Sequence, residues 1–199
     1  MRNPVVLNLA AVALAAGWPA ATLARDARPF EGAYAGPEIG AHEHHFYIET
    51  TDLATGDMRG RYYRAWGVGG GAFAGYDLAA GDTVRIGAEA EISLGGATNR
   101  LDGFGGTFAQ HPRYGYRLAG RVGRVFGRRT MVYGSLGYGG HRYRIEDSIG
   151  VEDAREWQSS FVVGGGIAYR VSPRIDVRLD FKHLDNSMSH ILLGMPIRF

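Results

Sequence analysis

A two-residue alternation of apolar and ionic side chains constrains this chain more than any other feature of its sequence. Residues 175–182 contain four apolar side chains that alternate strictly with four ionic ones: Ile175, Asp176, Val177, Arg178, Leu179, Asp180, Phe181 and Lys182. Successive side chains of an extended strand point to opposite faces, whereas a helix would scatter these charges around its circumference. The segment is therefore predicted to be a β-strand with one apolar face and one charged face.

The same period recurs along the chain. Residues 85–94 alternate in this way, and the last nine residues place apolar side chains at every second position: Ile191, Leu193, Met195, Ile197 and Phe199. Counting such segments predicts about eight strands, the minimum for an outer-membrane barrel. They lie near residues 30–42, 65–78, 83–95, 114–126, 130–143, 157–171, 174–184 and 190–199.

The connections between these segments alternate in length. Short links with turn-forming residues are predicted at 79–82, 127–129 and 172–174. Long links are predicted near 43–64, 96–113 and 144–156, with a shorter one near 185–189. Short turns at one end and long loops at the other are typical of membrane barrels, with both termini on the periplasmic side.

Alternation alone also fits a soluble β-sandwich or a lipocalin-like barrel, in which the charged face points to water. The loop asymmetry, the aromatic C-terminal residue and the aromatic side chains near strand ends favour the membrane form. We therefore predict an all-β fold: an eight-stranded antiparallel up-and-down transmembrane β-barrel.

The N-terminal segment has the pattern of an export signal. Arg2 provides a positive charge, an apolar run extends from Val5 to Ala16, and small residues end the segment at Ala24. The apolar run is too short for a membrane-spanning helix. We predict a signal peptide over residues 1–24 and a barrel domain over residues 25–199.

Composition excludes several chemistries. The chain has no cysteine, so disulfides, thiolate metal sites and cysteine nucleophiles are excluded. The net charge is only +2 and the charges are interspersed, which argues against nucleic acid as a partner. No cofactor is expected.

Short glycine-rich motifs recur through the chain, among them Phe30–Gly36, Gly71–Tyr76, Ile86–Glu91, Tyr133–Tyr138 and Gly164–Tyr169. With these motifs and its aromatic end, nearly the whole predicted mature chain resembles the opacity-protein/porin-like family of eight-stranded outer-membrane barrels. The resemblance implies a surface or stability protein without catalytic activity. It also implies that Met195, Ile197 and Phe199 form the signal read by the outer-membrane assembly machinery.

The charged faces of the strands predict a barrel interior with nearly balanced acids and bases. Buried charges persist only when they are paired, and an eight-stranded barrel encloses just enough space for its own side chains. We predict a network of ion pairs that includes Glu89, Glu91, Arg117, Arg121, Arg178, Asp180 and Lys182. The alternative readings are a gated pore for small solutes and, for Glu89 with Glu91, a general acid/base pair.

Pro37 and Pro196 interrupt the first and last predicted strands, which must pair to close the barrel. Each proline lacks a backbone N–H for the ladder. We predict a bulged or locally weakened seam at this position.

Three histidines occur together in His42-Glu43-His44-His45, where His42 and His44 share a strand face. The favoured interpretation is a solvated loop start, and we predict no metal site. Adventitious binding of zinc or copper is the alternative, because imidazole is a common ligand of both ions.

Residues 182–187, with His183, Asp185 and Ser187, faintly resemble the His-x-Ser-Asn motif of outer-membrane lipid A deacylases. Asp185 stands where that motif has its serine nucleophile, and no acidic residue follows Ser187. Lipid A hydrolysis is therefore kept only as an alternative.

The sequence predicts a non-enzymatic outer-membrane protein that supports envelope integrity or surface interaction through its extracellular loops. The long links carry aromatic and basic side chains, such as Tyr62, Arg113 and Tyr114, that suit contact with lipopolysaccharide or another surface. The equal alternative is that they are only solvated loop residues. Expected partners are outer-membrane lipid, lipopolysaccharide, the assembly machinery and host or cell-surface ligands. A small-solute channel is the second alternative.

Overall fold

The computed structural model describes residues 28–51, 55–103, 106–147, 154–184 and 188–199. The predicted signal peptide lies outside the described residues, as do Asp185, Asn186 and Ser187. The described residues contain ten strands: β1 (Gly32–Thr51), β2 (Met58–Ala79), β3 (Val84–Gly95), β4 (Asn99–Gly103), β5 (Gly106–Phe126), β6 (Thr130–Asp147), β7 (Ala154–Arg170), β8 (Asp176–Leu184), β9 (Met188–Gly194) and β10 (Ile197–Arg198).

All strand pairs are antiparallel, and the sheet closes on itself. β3 and β4 both pair with β5, so together they count as one strand of the barrel wall. β9 and β10 both pair with β1 and likewise count as one. The ten strands therefore form an eight-membered ring, which confirms the predicted barrel. No helix among the described residues is long and apolar enough to span a membrane.

Tight turns close one end of the barrel. The links between β2 and β3, β5 and β6, and β7 and β8 are short, as predicted. Gly81 and Gly127 adopt φ values of 109° and 61° in the first two of these turns. Side chains rarely tolerate this backbone region, so glycine suits both turns.

The opposite end differs from the sequence-based prediction. Long links were expected near 43–64, 96–113 and 144–156. Instead, β1 and β2 stay paired as far as Thr51 and Met58, β4 and β5 as far as Gly103 and Gly106, and β6 and β7 as far as Ile145 and Ala154. β1, β2 and β5 are 20, 22 and 21 residues long, whereas about 9–11 residues cross a membrane. The predicted long loops are thus mostly paired hairpins that extend beyond the membrane.

The seam between β1 and the last two strands contains no bulge. Pairing of β1 with β9 ends at Glu38 and Gly194, and pairing with β10 resumes at Ala35 and Ile197 in the same register. The carbonyl of Pro196 accepts a hydrogen bond from the Asp176 backbone N–H at 2.9 Å. The prolines therefore interrupt the ladder without shifting it, and the expected bulge is not found at these residues.

The two faces of the wall differ in polarity. Along β8, burial alternates at every residue up to Lys182, with the ionic side chains inside and the apolar ones outside. Leu179 and Phe181 are 51% and 52% exposed, whereas Arg178 is 1% exposed. The apolar face thus points outward all around the barrel, which suits contact with lipid.

Candidate functional site

The interior is filled by charged side chains from five wall strands and the short C-terminal strand. We call them the ionic network: Glu38, Asp77, Glu89, Glu91, Arg117, Arg121, Asp176, Arg178, Asp180, Lys182 and Arg198. All are at most 7% exposed. The network includes the seven residues that the sequence analysis proposed.

Arg178 on β8 lies at the centre of the ionic network. Its guanidinium contacts Glu89 across the interior, lies 3.1 Å from the Glu38 carboxylate and 2.7 Å from that of Asp180. It also lies over the ring of Phe73, 3.5 Å from the ring centroid. One arginine thereby joins strands on opposite sides of the barrel.

Glu89 and Glu91 are each held by more than one cation. Arg117 lies 2.8 Å from Glu89 and 3.1 Å from Glu91, and Arg121 lies 3.2 Å from Glu89. Lys182 also contacts Glu91 from the opposite side of the barrel. Because both carboxylates are engaged by cations, the geometry favours structural pairing over general acid/base chemistry.

The turn end of the interior is closed by Phe30. Its side chain is fully buried and packs with Val125, Met131 and other core side chains. Arg198 donates a hydrogen bond to the Phe30 carbonyl at 2.9 Å. Phe30 adopts a φ of 63°, a conformation that costs a non-glycine residue about 1–2 kcal/mol, so packing and hydrogen bonding hold it in place.

A second group of buried side chains lies toward the hairpin end of the interior. It consists of His42 and His44 on β1, His141 on β6 and His190 on β9, and we call it the histidine cluster. The rings of His42 and His190 stack with centroids 3.9 Å apart, and those of His44 and His141 are 4.9 Å apart. The expectation that His42 to His45 begin a solvated loop is wrong, because all three histidines are buried within a paired strand.

Sequence reasoning did not identify His141 or His190 as neighbours of His42. The two residues are far apart in the chain, and only the registers of β6 and β9 bring them to the same level of the barrel. A strand face shared by His42 and His44 was the one signal that the sequence contained.

The hydrolase alternative rests on His183, which is on the outer face of β8. Its Nδ1 lies 3.0 Å from the hydroxyl of Ser189. Ser189 on β9 pairs with His183 on β8 and with Glu43 on β1, so the serine lies between the histidine and the carboxylate. A triad needs the histidine between serine and carboxylate, so this arrangement does not orient the histidine as a general base.

The residues of the proposed assembly signal face outward. Met195, Ile197 and Phe199 are 41%, 38% and 84% exposed. Their apolar side chains are therefore available to lipid or to another protein.

Aromatic and basic side chains form a row on the outer face near the hairpin end. Arg142 on β6 is paired in register with Tyr114 on one side and Trp157 on the other. Arg142 donates a hydrogen bond to the Tyr114 hydroxyl at 2.7 Å, and the Tyr114 and Trp157 rings meet edge to face at 5.5 Å. Arg113 and Arg144 line a surface depression together with Tyr114 and Arg142.

Known structures share the barrel shape at low sequence identity. A crystal structure of Ail, the attachment invasion locus protein of Yersinia pestis, in complex with the heparin analogue sucrose octasulfate is 16% identical, with a TM-score of 0.48 over 85% of this chain and 99% of that one. Neisserial surface protein A is 16% identical, with a TM-score of 0.49 over 85% and 100%. The Escherichia coli outer membrane protease OmpT is 11% identical, with a TM-score of 0.44 over 90% and 99%. These values carry no conclusion about function.

No curated protein sequence matches the chain. The family model for the outer membrane protein beta-barrel domain, however, matches residues 9–189, which is most of the sequence. Together with the closed ring of strands and its apolar outer face, this match shows that the chain belongs to the outer membrane protein beta-barrel domain family and is a protein of the cell outer membrane.

Proposed function

We propose that the protein is a non-enzymatic component of the outer membrane that supports envelope integrity or surface interaction through its extracellular hairpins. The ionic network carries this proposal, because it occupies the interior and leaves the outer face and the hairpins as the surfaces that meet a partner. Short turns face the periplasm in such barrels, so the long hairpins face outward from the cell.

Lipopolysaccharide is the partner that the outer row of Arg142, Tyr114 and Trp157 suits best. Aromatic side chains favour the membrane interface, and a guanidinium binds phosphate through two parallel hydrogen bonds. Arg142 lies among interface aromatics, where the phosphates of lipopolysaccharide would be within its reach. The heparin analogue bound to Ail is a polyanion as well, and it provides a second probe.

The test compares the wild type with Arg142→Gln in nanodiscs. Thermal unfolding is measured in nanodiscs that contain lipopolysaccharide and in nanodiscs that contain phosphatidylglycerol as the anionic lipid. Heparin is then added as a second probe. We expect lipopolysaccharide to stabilise the wild type more than Arg142→Gln, while Arg128→Gln, at an exposed periplasmic turn, behaves as the wild type. Equal stabilisation of all three proteins would contradict the proposal, and stabilisation by heparin alone would redirect it to an extracellular polyanion.

The channel alternative is tested by planar-bilayer recordings. With the interior held by ion pairs and closed by Phe30, the purified protein should give no steady single-channel currents. Steady currents of uniform size from the folded protein would favour a pore.

A further inference from the structure

The histidine cluster has the geometry of an incomplete coordination shell. One imidazole nitrogen from each of His42, His44 and His190 lies within 4.8 Å of the others, and all three residues are buried. The nitrogens bound to one tetrahedral zinc ion lie about 3.3 Å apart, given Zn–N bonds of about 2.0–2.1 Å. The rings of His42 and His190 are stacked at 12° to each other, so one of the two must turn before both nitrogens can point at the same ion.

The cluster contains imidazole nitrogens without a hydrogen-bond partner among the described residues. They are both ring nitrogens of His42 and the Nε2 atoms of His44, His141 and His190. The large majority of buried side-chain polar atoms have a hydrogen-bond partner, and each unpaired one costs free energy. One imidazole nitrogen from each of His42, His44 and His190 lies near the other two, which suggests that a ligand satisfies them.

One cluster histidine is already oriented for coordination. The Nδ1 atom of His44 lies 2.8 Å from the hydroxyl of Tyr143, which is itself 1% exposed. When Nδ1–H donates to this hydroxyl, Nε2 carries its lone pair, and a bound ion would replace the contact of His44 with the backbone of Gly95. Metal-binding histidines commonly use their second nitrogen in this way, which fixes both tautomer and ring direction.

Glycines give the rings their space. A Cβ atom added to Gly69, Gly96 or Gly115 would clash with a ring nitrogen of His42, His44 or His141, respectively. The backbone around the cluster thus approaches the imidazoles closely.

We propose that the histidine cluster binds one divalent late first-row transition metal ion, of which zinc is the reference probe. His42, His44 and His190 would be ligands, and His141 stands beside His44 as a candidate fourth. Imidazole favours zinc, copper and nickel, whereas calcium and magnesium require oxygen ligands. This inference develops the alternative that the sequence analysis kept for these histidines, against its favoured expectation of no metal site.

The ion would enter from the extracellular side. His42 lies four residues beyond Glu38 along β1, toward the hairpin end, and the ionic network lies on the turn side. Lys182 pairs in register with His190, so its ammonium stands near the cluster, but it is engaged by Glu38 and Glu91. These carboxylates offset the repulsion between the ammonium and a bound cation.

The experiment uses folded protein without a histidine tag, stripped with a chelator in detergent micelles and titrated with zinc chloride by calorimetry. We expect one ion per chain. His44→Gln and His190→Gln should each weaken binding at least about tenfold, and Tyr143→Phe about 10- to 100-fold, as for other partners of metal-bound histidines. His183→Gln is the matched control, since the alternation of burial along β8 places His183 on the outer face.

Migration on unheated detergent gels checks that each variant is folded. Should a cluster variant fail to fold, electron paramagnetic resonance of the copper-loaded wild type decides the matter, because three or four bound imidazoles give resolved nitrogen couplings. A folded wild type that binds no zinc, or equal zinc affinity in the wild type and in folded His44→Gln, would overturn the proposal. So would a copper spectrum without nitrogen coupling.

Discussion

The ionic network and the histidine cluster occupy two levels of one barrel interior and differ in how their polar groups are satisfied. In the network, each of the six carboxylates has a cation within 3.1 Å. In the cluster, four neighbouring imidazoles retain nitrogens without a described partner. Both levels are polar and buried. Network atoms such as Arg178 Nε and Asp180 Oδ2 make no hydrogen bond of good geometry but lie in an ion pair, whereas the cluster nitrogens have no ion-pair partner among the described residues.

The difference follows from what each level must bury. An unpaired charge in a dry interior costs several kcal/mol, so the ionic side chains inside the barrel need charged or hydrogen-bonding partners. Arg85, for example, donates to the backbone carbonyls of Pro29 and Val84. A neutral imidazole without a partner costs only about 1–3 kcal/mol, which a stable barrel tolerates. The network is therefore assigned to stability, and the cluster to a ligand.

Breaking the ionic network should have the largest effect. Arg178→Met keeps the volume over Phe73 but leaves Glu38, Glu89 and Asp180 short of a cation. We expect a loss of about 3–5 kcal/mol in the free energy of unfolding, the usual result of removing one partner of a buried pair. Urea unfolding in lipid vesicles measures it.

Arg128→Met is the control for this variant, because Arg128 lies in an exposed turn, where a substitution changes stability by no more than about 0.5 kcal/mol. Equal stability of Arg178→Met and the control would contradict the proposed structural role of the network.

The residue next to Arg178 tests the outer face. Leu179→Arg places a charge on the apolar side between Ile167 and Leu193. An arginine near the membrane midplane costs about 2–4 kcal/mol, and one near the interface about 0–1 kcal/mol. Tyr169→Arg, at the end of β7, should therefore be the milder change. A reversed order in the same unfolding assay would contradict the proposed position of the membrane.

The smallest effect is expected in the histidine cluster without metal. His190→Leu replaces a ring whose Nε2 has no described partner by an apolar side chain of similar size. Unfolding of the chelator-treated protein should change by no more than about 1 kcal/mol, and in the stabilising direction if it changes. A loss as large as that of Arg178→Met would mean that the cluster is as complete as the network.

Sequence patterning predicted the strands correctly where one face of a strand meets lipid and the other meets the barrel interior. In residues 175–182 one face meets lipid and the other the interior, so the chemistry alternates strictly. In His42-Glu43-His44-His45 the alternation of apolar and ionic side chains is lost, because polar side chains occupy both faces of β1 there and all four residues are buried. This is why paired strands were taken for loops there.

The candidate site was less accessible to sequence reasoning. Arg117 and Arg121 could be matched to Glu89 and Glu91 because they occupy neighbouring strands, but the contacts of Arg178 cross the barrel. The histidine cluster joins β1, β6 and β9, and its assembly depends on strand registers that hydrophobic patterning does not specify.

The central claim is that the two-residue period turns one face of each strand to lipid and the other to a closed interior. Leu192 and Leu193 test it most directly, because these adjacent residues of β9 are 1% and 54% exposed. In methyl-labelled protein in nanodiscs, nuclear Overhauser effects from lipid acyl chains should reach the methyl groups of Leu193 and not those of Leu192. Equal lipid contact at both residues, or contact at Leu192 alone, would contradict the account.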